Sequence, residues 1–212
     1  MLVKIEKLDH FGRGITYINN KICFIENTLP GEIVRIKLKN EKQKFYIGKV
    51  EEYVEISKDR IQEECPYSIM CGGCQLNHMT YDLENKWKEE KVKEIIERYG
   101  KIDSNIIKPI QYQERDFYRN KITLHGSNKE LGYYKNKTND IIKIKKCLLV
   151  NNKINELLNE LKVNDNIEEL MIKSSNDEQE ILIGIKGRIT EIDKWKNIGD
   201  SIYLNNKCIF YV

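Results

Sequence analysis

Ile15-Thr16-Tyr17-Ile18-Asn19-Asn20-Lys21-Ile22-Cys23-Phe24-Ile25 decides how the first quarter of this chain folds. Two runs rich in β-branched and aromatic residues flank a two-residue Asn-Asn turn, and asparagine tolerates the left-handed φ that a tight hairpin needs. The same strand chemistry repeats on either side. Leu2-Val3-Lys4-Ile5-Glu6-Lys7-Leu8 alternates before a break at Gly12-Arg13-Gly14. Leu29-Pro30-Gly31-Glu32 suits a type II turn, with proline second and glycine third. Ile33 to Lys39 then alternates, with Val34, Ile36 and Leu38 on one face and Arg35, Lys37 and Lys39 on the other, and Phe45 to Val54 gives a fifth strand. Five short strands without a helix predict a small OB-type barrel over residues 1–57. Its basic face, with Arg35, Lys37, Phe45 and Tyr46, suits a nucleic-acid backbone. The same pattern is also what the wet side of any strand looks like.

Beyond residue 57 the texture changes. Ser57 to Glu64 is a polar link into a cysteine loop, followed by a helix over Asp82–Tyr99 that Gly100 stops. At about 100° per residue, Leu83 and Trp87 share one face while Val92, Ile95, Ile96 and Tyr99 lie nearly opposite. That split predicts a helix packed against different neighbours at its two ends. From residue 101 strands return: Tyr118–His125, Leu131–Lys135 and Ile141–Lys145 read as a meander, Lys153–Leu161 as a short helix, and Glu168–Lys173, Glu180–Lys186 and Ser201–Val212 as further strands, with Asn205-Asn206 as a second hairpin turn. The expected fold is α+β and mostly β. An OB-like barrel (1–57) precedes a central domain (58–212) made of cysteine loop and long helix (58–100) and an antiparallel sheet with a short helix (101–212).

A chain with 40% hydrophobic and 33% charged residues is ordinary for a soluble globular protein, and a net charge of +3 permits RNA binding without requiring it. The longest apolar runs, such as Ile181-Leu182-Ile183-Gly184-Ile185, are too short for a bilayer, and the first residues lack a signal-peptide core. No membrane partner and a cytoplasmic location are therefore expected. In that compartment six cysteines argue for metal rather than disulfides. No G-x-G-x-x-G follows a strand, no P-loop is present, and three scattered histidines offer no Ser/His/Asp set.

Three of the cysteines crowd into Cys65-Pro66-Tyr67-Ser68-Ile69-Met70-Cys71-Gly72-Gly73-Cys74, a C-x5-C-x2-C spacing. Gly72 and Gly73 let backbone N–H groups approach the sulfurs. Cys147, far along the chain, is the candidate fourth ligand. Zinc and a [4Fe–4S] cluster both accept four cysteines. One knuckle with a lone distant thiol favours iron–sulfur over the paired knuckles of most zinc sites. His78 offers an alternative C-x2-C-x3-H zinc set, while Cys23 and Cys208, in apolar strand contexts, read as packing residues. Phe117-Tyr118-Arg119-Asn120-Lys121 interleaves rings and cations, as RNA binders do and as an edge strand also does.

Taken together, Leu29-Pro30-Gly31-Glu32, Cys65-Pro66 through Cys71-Gly72-Gly73-Cys74-Gln75, His78, Tyr81, Lys86, Tyr118-Arg119-Asn120-Lys121, Leu131-Gly132-Tyr133-Tyr134 and Cys147 resemble the N-terminal part of the RNA uracil-5-methyltransferases, among them the 23S rRNA enzymes. Asn77 stands where that pattern has glutamine. The resemblance implies a TRAM domain over the barrel, a [4Fe–4S] cluster on Cys65, Cys71, Cys74 and Cys147, and RNA contacts, with rRNA the expected partner. In that family S-adenosylmethionine, a nucleophilic cysteine and a general base belong to a third domain. No residue here matches it, so this chain is expected to be inactive alone, its methyltransferase domain supplied by more of the same polypeptide or in trans. The alternative is a free-standing iron–sulfur or zinc protein that binds RNA or senses redox state.

Overall fold

The computed structural model describes residues 1–161 and 165–211. Asn19 and Asn20 both take positive φ, 51° and 61°, and so do Asn205 and Asn206, at 48° and 66°. Both Asn-Asn pairs thus make the left-handed two-residue turns expected of them. The first joins β3 (Gly14–Ile18) to β4 (Lys21–Ile25), with Ile18 opposite Lys21.

The N-terminal run divides into β1 (Leu2–Lys4) and β2 (Lys7–Leu8). With β5 (Ile33–Glu41) and β6 (Phe45–Glu55) the strand order is β1-β5-β6-β4-β3-β2. The two outer strands are thus consecutive pieces of one run. Ile5 N–H bonds to Glu32 O and Glu6 N–H to Ile15 O, so the run leaves one neighbour and joins the other at this point, curling the sheet on itself. β4 and β6 pair in parallel, and the other pairs are antiparallel. This is the connectivity of an OB barrel. Ile5, Cys23, Ile25, Val34 and Ile36 fill it, while Arg35 and Lys37 face outward, as their alternation requires.

The turn at Leu29–Glu32 explains itself. Gly31 has φ +87°, and Glu32 N–H bonds back to Leu29 O at 3.2 Å. Glu32 is fully buried. Its carboxylate accepts from Leu29 N–H at 2.8 Å, from Ser57 N–H at 3.3 Å, and from Arg60 Nε and Nη2 at 2.6 and 2.9 Å. A buried carboxylate persists only with such a full set of partners. It clasps the chain after the barrel to the barrel itself.

The contacts therefore group the residues differently from the expected division at residue 57. One compact unit comprises Met1–Glu64 with Gln75–Tyr112, the other Cys65–Cys74 with Gln113–Val212. The long helix α1 (Tyr81–Ile95) belongs to the first unit, capped by Thr80, whose side chain accepts from Leu83 N–H. Leu83 and Trp87, with Leu76, pack on Leu8, Leu29 and Met79. On the other apolar face Val92, Ile95 and Tyr99 are exposed, contrary to the expectation that both ends would pack. The helix passes into a π turn, Ile96–Gly100, that ends on Lys101 at positive φ.

In the second unit, β7 (Lys121–Ser127), β8 (Glu130–Tyr134), β9 (Ile141–Ile142), β10 (Asn166–Ser174), β11 (Ile181–Arg188), β12 (Ser201–Leu204) and β13 (Lys207–Tyr211) form one sheet, ordered β13-β12-β11-β10-β7-β8-β9. The expected meander is β7-β8-β9, and the expected strand end at Val212 lies outside the described residues. The sheet is antiparallel except for β11 and β12, which run parallel through a crossover containing α3 (Ile192–Lys196). That helix is too short for helical periodicity to show in the sequence. Trp195 anchors it, buried, with its indole N–H on Asp165 Oδ2 at 3.3 Å. Helix α2 (Asn152–Glu160) contributes Ile154 and Leu158, one turn apart, to the same buried core as Leu170, Ile172, Ile183 and Ile202. Each such fully buried aliphatic side chain contributes about 1.5–3 kcal/mol.

Candidate cysteine centre and nucleic-acid interface

The loop Cys65–Cys74 is stitched to the end of β8. Gly72 N–H bonds to Tyr134 O at 3.0 Å, Asn136 N–H to Met70 O at 2.9 Å, and Cys71 bridges Lys135. A Cβ on Gly72 would lie 3.2 Å from Tyr134 O, so glycine permits this close approach. Within the loop, Cys71 N–H bonds to Tyr67 O at 2.7 Å, and the Tyr67 hydroxyl accepts from Lys145 N–H at 3.1 Å. Cys147 sits two residues past that contact. Asn155 of α2 fixes it from both sides, accepting Cys147 N–H at 2.8 Å and donating to Cys147 O at 3.0 Å.

The two cysteine-bearing segments thus fold into one unit. Burial pushes the Cys71 thiol up, the Gly73 N–H at 3.4 Å from its sulfur opposes that, and the nearby Cys147 and Cys65 push it further up. The Tyr133 hydroxyl is raised by burial and then by Cys147, beside which it stands, while Arg119 pulls it down. Three of the four expected ligands, Cys65, Cys71 and Cys147, therefore share one neighbourhood. The fourth, Cys74, follows Gly72-Gly73 at the loop's end and is half-buried. Among the described residues no group of three or more His, Cys, Asp or Glu side chains is drawn together closely enough to hold a metal ion.

His78 has no part in this centre. It belongs to the first unit, buried, and its imidazole bonds to the Thr28 backbone. Cys23 is buried in the barrel as expected, whereas Cys208 is exposed.

Beside the cysteines lies the Phe117–Lys121 segment. Phe117 takes φ 56°, unusual for a bulky residue, and its N–H bonds to Leu148 O at 2.7 Å. Its ring is exposed, with Lys146 Nζ 5.9 Å from the centroid. Tyr118 is exposed with Arg119 Cζ 5.9 Å from its ring, and Asn120 donates to Asn176 Oδ1 at 3.1 Å. Lys121 faces solvent opposite Lys173. His125 and Tyr134 stack at 4.0 Å, a pair that cross-strand pairing creates and adjacency in sequence does not.

On the barrel, Arg35 pairs with Glu52 at 2.9 Å, so its charge is already answered. Lys37 stands opposite Lys49, both exposed. Tyr46 packs against the barrel core beneath Lys21 Nζ at 4.2 Å, and Phe45 meets Phe24 edge-on at 5.6 Å. Phe11, Arg13 and Phe24 gather beside Phe45; the sequence showed only two of them close together, around Gly12.

Residues 1–51 match the TRAM domain, so the curled N-terminal sheet is a TRAM domain. The homologues are named RNA methyltransferases. The chain is 32% identical over 182 residues to an uncharacterised RNA methyltransferase of Halalkalibacterium halodurans, covering 84% of this chain and 39% of that protein. It is 30% identical over 164 residues to the 23S rRNA (uracil(1939)-C(5))-methyltransferase of Vibrio parahaemolyticus, covering 75% of this chain and 37% of that enzyme. The chain thus spans under two-fifths of the length of these relatives. In fold it is similar to the Pyrococcus abyssi tRNA (uracil-54, C5)-methyltransferase solved with S-adenosyl-L-homocysteine, with a TM-score of 0.69 at 18% identity over 96% of this chain and 50% of that one. Among the described residues no helix is long and apolar enough to cross a membrane.

Proposed function

We propose that this chain is the RNA-gripping portion of an S-adenosylmethionine-dependent RNA uracil-5-methyltransferase, acting in the cytoplasm on 23S rRNA, and that Cys65, Cys71, Cys74 and Cys147 hold a [4Fe–4S] cluster. The observation that supports the cluster is that Cys147 lies in the same unit as Cys65 and Cys71, near enough that Cys147 and Cys65 both raise the Cys71 thiol. An all-thiolate donor set suits iron–sulfur. When bound, the cluster would supply a cross-link between segments about 70 residues apart, adding to folding energy. Gly73 N–H and the Tyr133 hydroxyl are the groups that would hydrogen-bond its sulfurs.

RNA binding is supported by the TRAM match, by the names of the relatives, and by the surface. Lys37 opposite Lys49 and Lys121 opposite Lys173 are like-charge cross-strand pairs, which destabilise a sheet unless an anion lies across them. Tyr118, Arg119, Asn120 and Lys121, with Phe117 and Lys146, would meet RNA beside the cysteine loop. Arg35, Lys37, Phe45 and Tyr46 lie on the barrel, where Lys37 is the strongest candidate for a phosphate contact. Methyl-donor binding and the attack on uracil are assigned to no residue of this chain.

Anaerobic purification tests the centre. The protein should be brown and carry about four irons and four sulfides per chain, and Cys147→Ser should lose both the colour and the iron. A colourless protein with one zinc would reject the cluster.

A further inference from the structure

We infer that the barrel carries a built stacking platform for unpaired RNA bases, made by Phe11, Arg13, Phe24 and Phe45. This rests on the RNA-binding reading and adds to it which RNA the barrel takes. Arg13 Cζ lies 4.3 Å from the Phe24 centroid and 5.2 Å from that of Phe11. Phe45 meets Phe24 edge-on. The four side chains therefore form a continuous ring–cation–ring–ring row. They come from the loop after β2, from β4 and from the start of β6, the region where OB folds receive oligonucleotides.

The loop that carries Phe11 and Arg13 is braced before anything binds. Asp9, 6% exposed, accepts Phe11 N–H at 2.9 Å and Arg13 N–H at 2.8 Å on one oxygen and Arg13 Nε at 2.7 Å on the other. That fixes the loop and neutralises Arg13, so the guanidinium serves as a flat plate rather than a phosphate contact. Phe11 is nonetheless 62% exposed. A phenyl ring held in water on a fixed loop adds little to folding and is preorganised for a ligand. Phe11, with the His10 ring tilted against it at 4.0 Å, and the half-buried rings beside it are too small for a stable protein interface, which needs about 1,000 Å². They match the face of one or two bases. Bases inside a duplex hide those faces, so the platform selects single strands.

The test measures anisotropy binding of the full chain to a labelled oligouridylate and to the same strand annealed to oligoadenylate. Phe11→Ala should weaken single-strand binding about ten-fold, the loss of one base stack. It should leave the duplex affinity and the salt slope unchanged, because no phosphate contact is lost. Phe11→Trp should keep the affinity, with indole fluorescence quenched on binding. The platform is overturned if Phe11→Ala binds the single strand as the wild type does, or weakens both RNAs equally. Failure of the wild type to bind either RNA would instead remove the RNA-binding reading itself.

Discussion

Glu32→Gln should cost the N-terminal unit far more stability than its size suggests. Its Oε1 receives Arg60 Nε at 2.6 Å and Ser57 N–H at 3.3 Å; its Oε2 receives Leu29 N–H at 2.8 Å and Arg60 Nη2 at 2.9 Å. Whichever way a glutamine amide turns, its NH2 faces two donors. Two hydrogen bonds are lost, and Arg60, 14% exposed, loses its counter-charge. Breaking one partner of a buried pair costs about 3–5 kcal/mol. With a urea m-value of about 2 kcal/mol/M, the midpoint should fall by about 2 M. Trp87 reports the N-terminal unit and Trp195 the other, so fluorescence in a Trp195→Phe background follows the right transition. The double variant Glu32→Gln, Arg60→Met removes both charges and should be more stable than Glu32→Gln alone. A loss below about 1 kcal/mol, or a double variant less stable than the single one, would refute the view that this clasp holds the unit together.

Other perturbations test neighbouring features. Burial, then the Arg60 charge, lowers the His78 pKa from 6.5 to about 4. The unfolded chain binds a proton that the folded one refuses, so stability is full above about pH 6.5 and falls toward pH 4, by about 3 kcal/mol; urea midpoints across that range should show the slope, and His78→Gln should flatten it. Gly31→Ala meets open space and should cost only the left-handed φ, about 1 kcal/mol. Gly126→Ala places a Cβ 1.8 Å from Ile167 O, so thermal melts should show a several-fold larger loss. Lys37→Ala relieves the repulsion with Lys49, so it should leave the melting temperature unchanged or higher while lowering the slope of log affinity against log salt by about one.

Much of the fold could be read directly from residues. Asn-Asn turns, the Pro-Gly turn and strict alternation carry their own backbone geometry, so the barrel strands, the meander and both hairpins emerged nearly in place. What escaped was set by partners distant in sequence. Nothing near Arg60 announces that it answers Glu32, and the contacts group the helix with the barrel where the sequence suggested the later sheet. The bulge between Ile167 and Glu169 shifts which side chains of β10 face inward, so Leu170, Ile172 and Ser174 are buried along with Ile167. The site divides the same way. Thiols are chemically distinctive, so Cys147 could be nominated as a candidate from sequence alone, whereas Phe24 and Phe45 are ordinary strand residues until parallel pairing of β4 and β6 brings them together.

The chain leaves the first unit at Glu64, spends ten residues in the second, and returns at Gln75 before crossing again after Tyr112. During synthesis at about 5–20 residues per second, the thiols of that excursion emerge roughly 4–15 s before Cys147 does. If they hold the proposed cluster, they would wait through that interval without their fourth ligand, open to oxidants and stray zinc. On that proposal iron would be inserted only after Cys147 has emerged, and a shortage of iron would leave the second unit without its cross-link while the first is already organised.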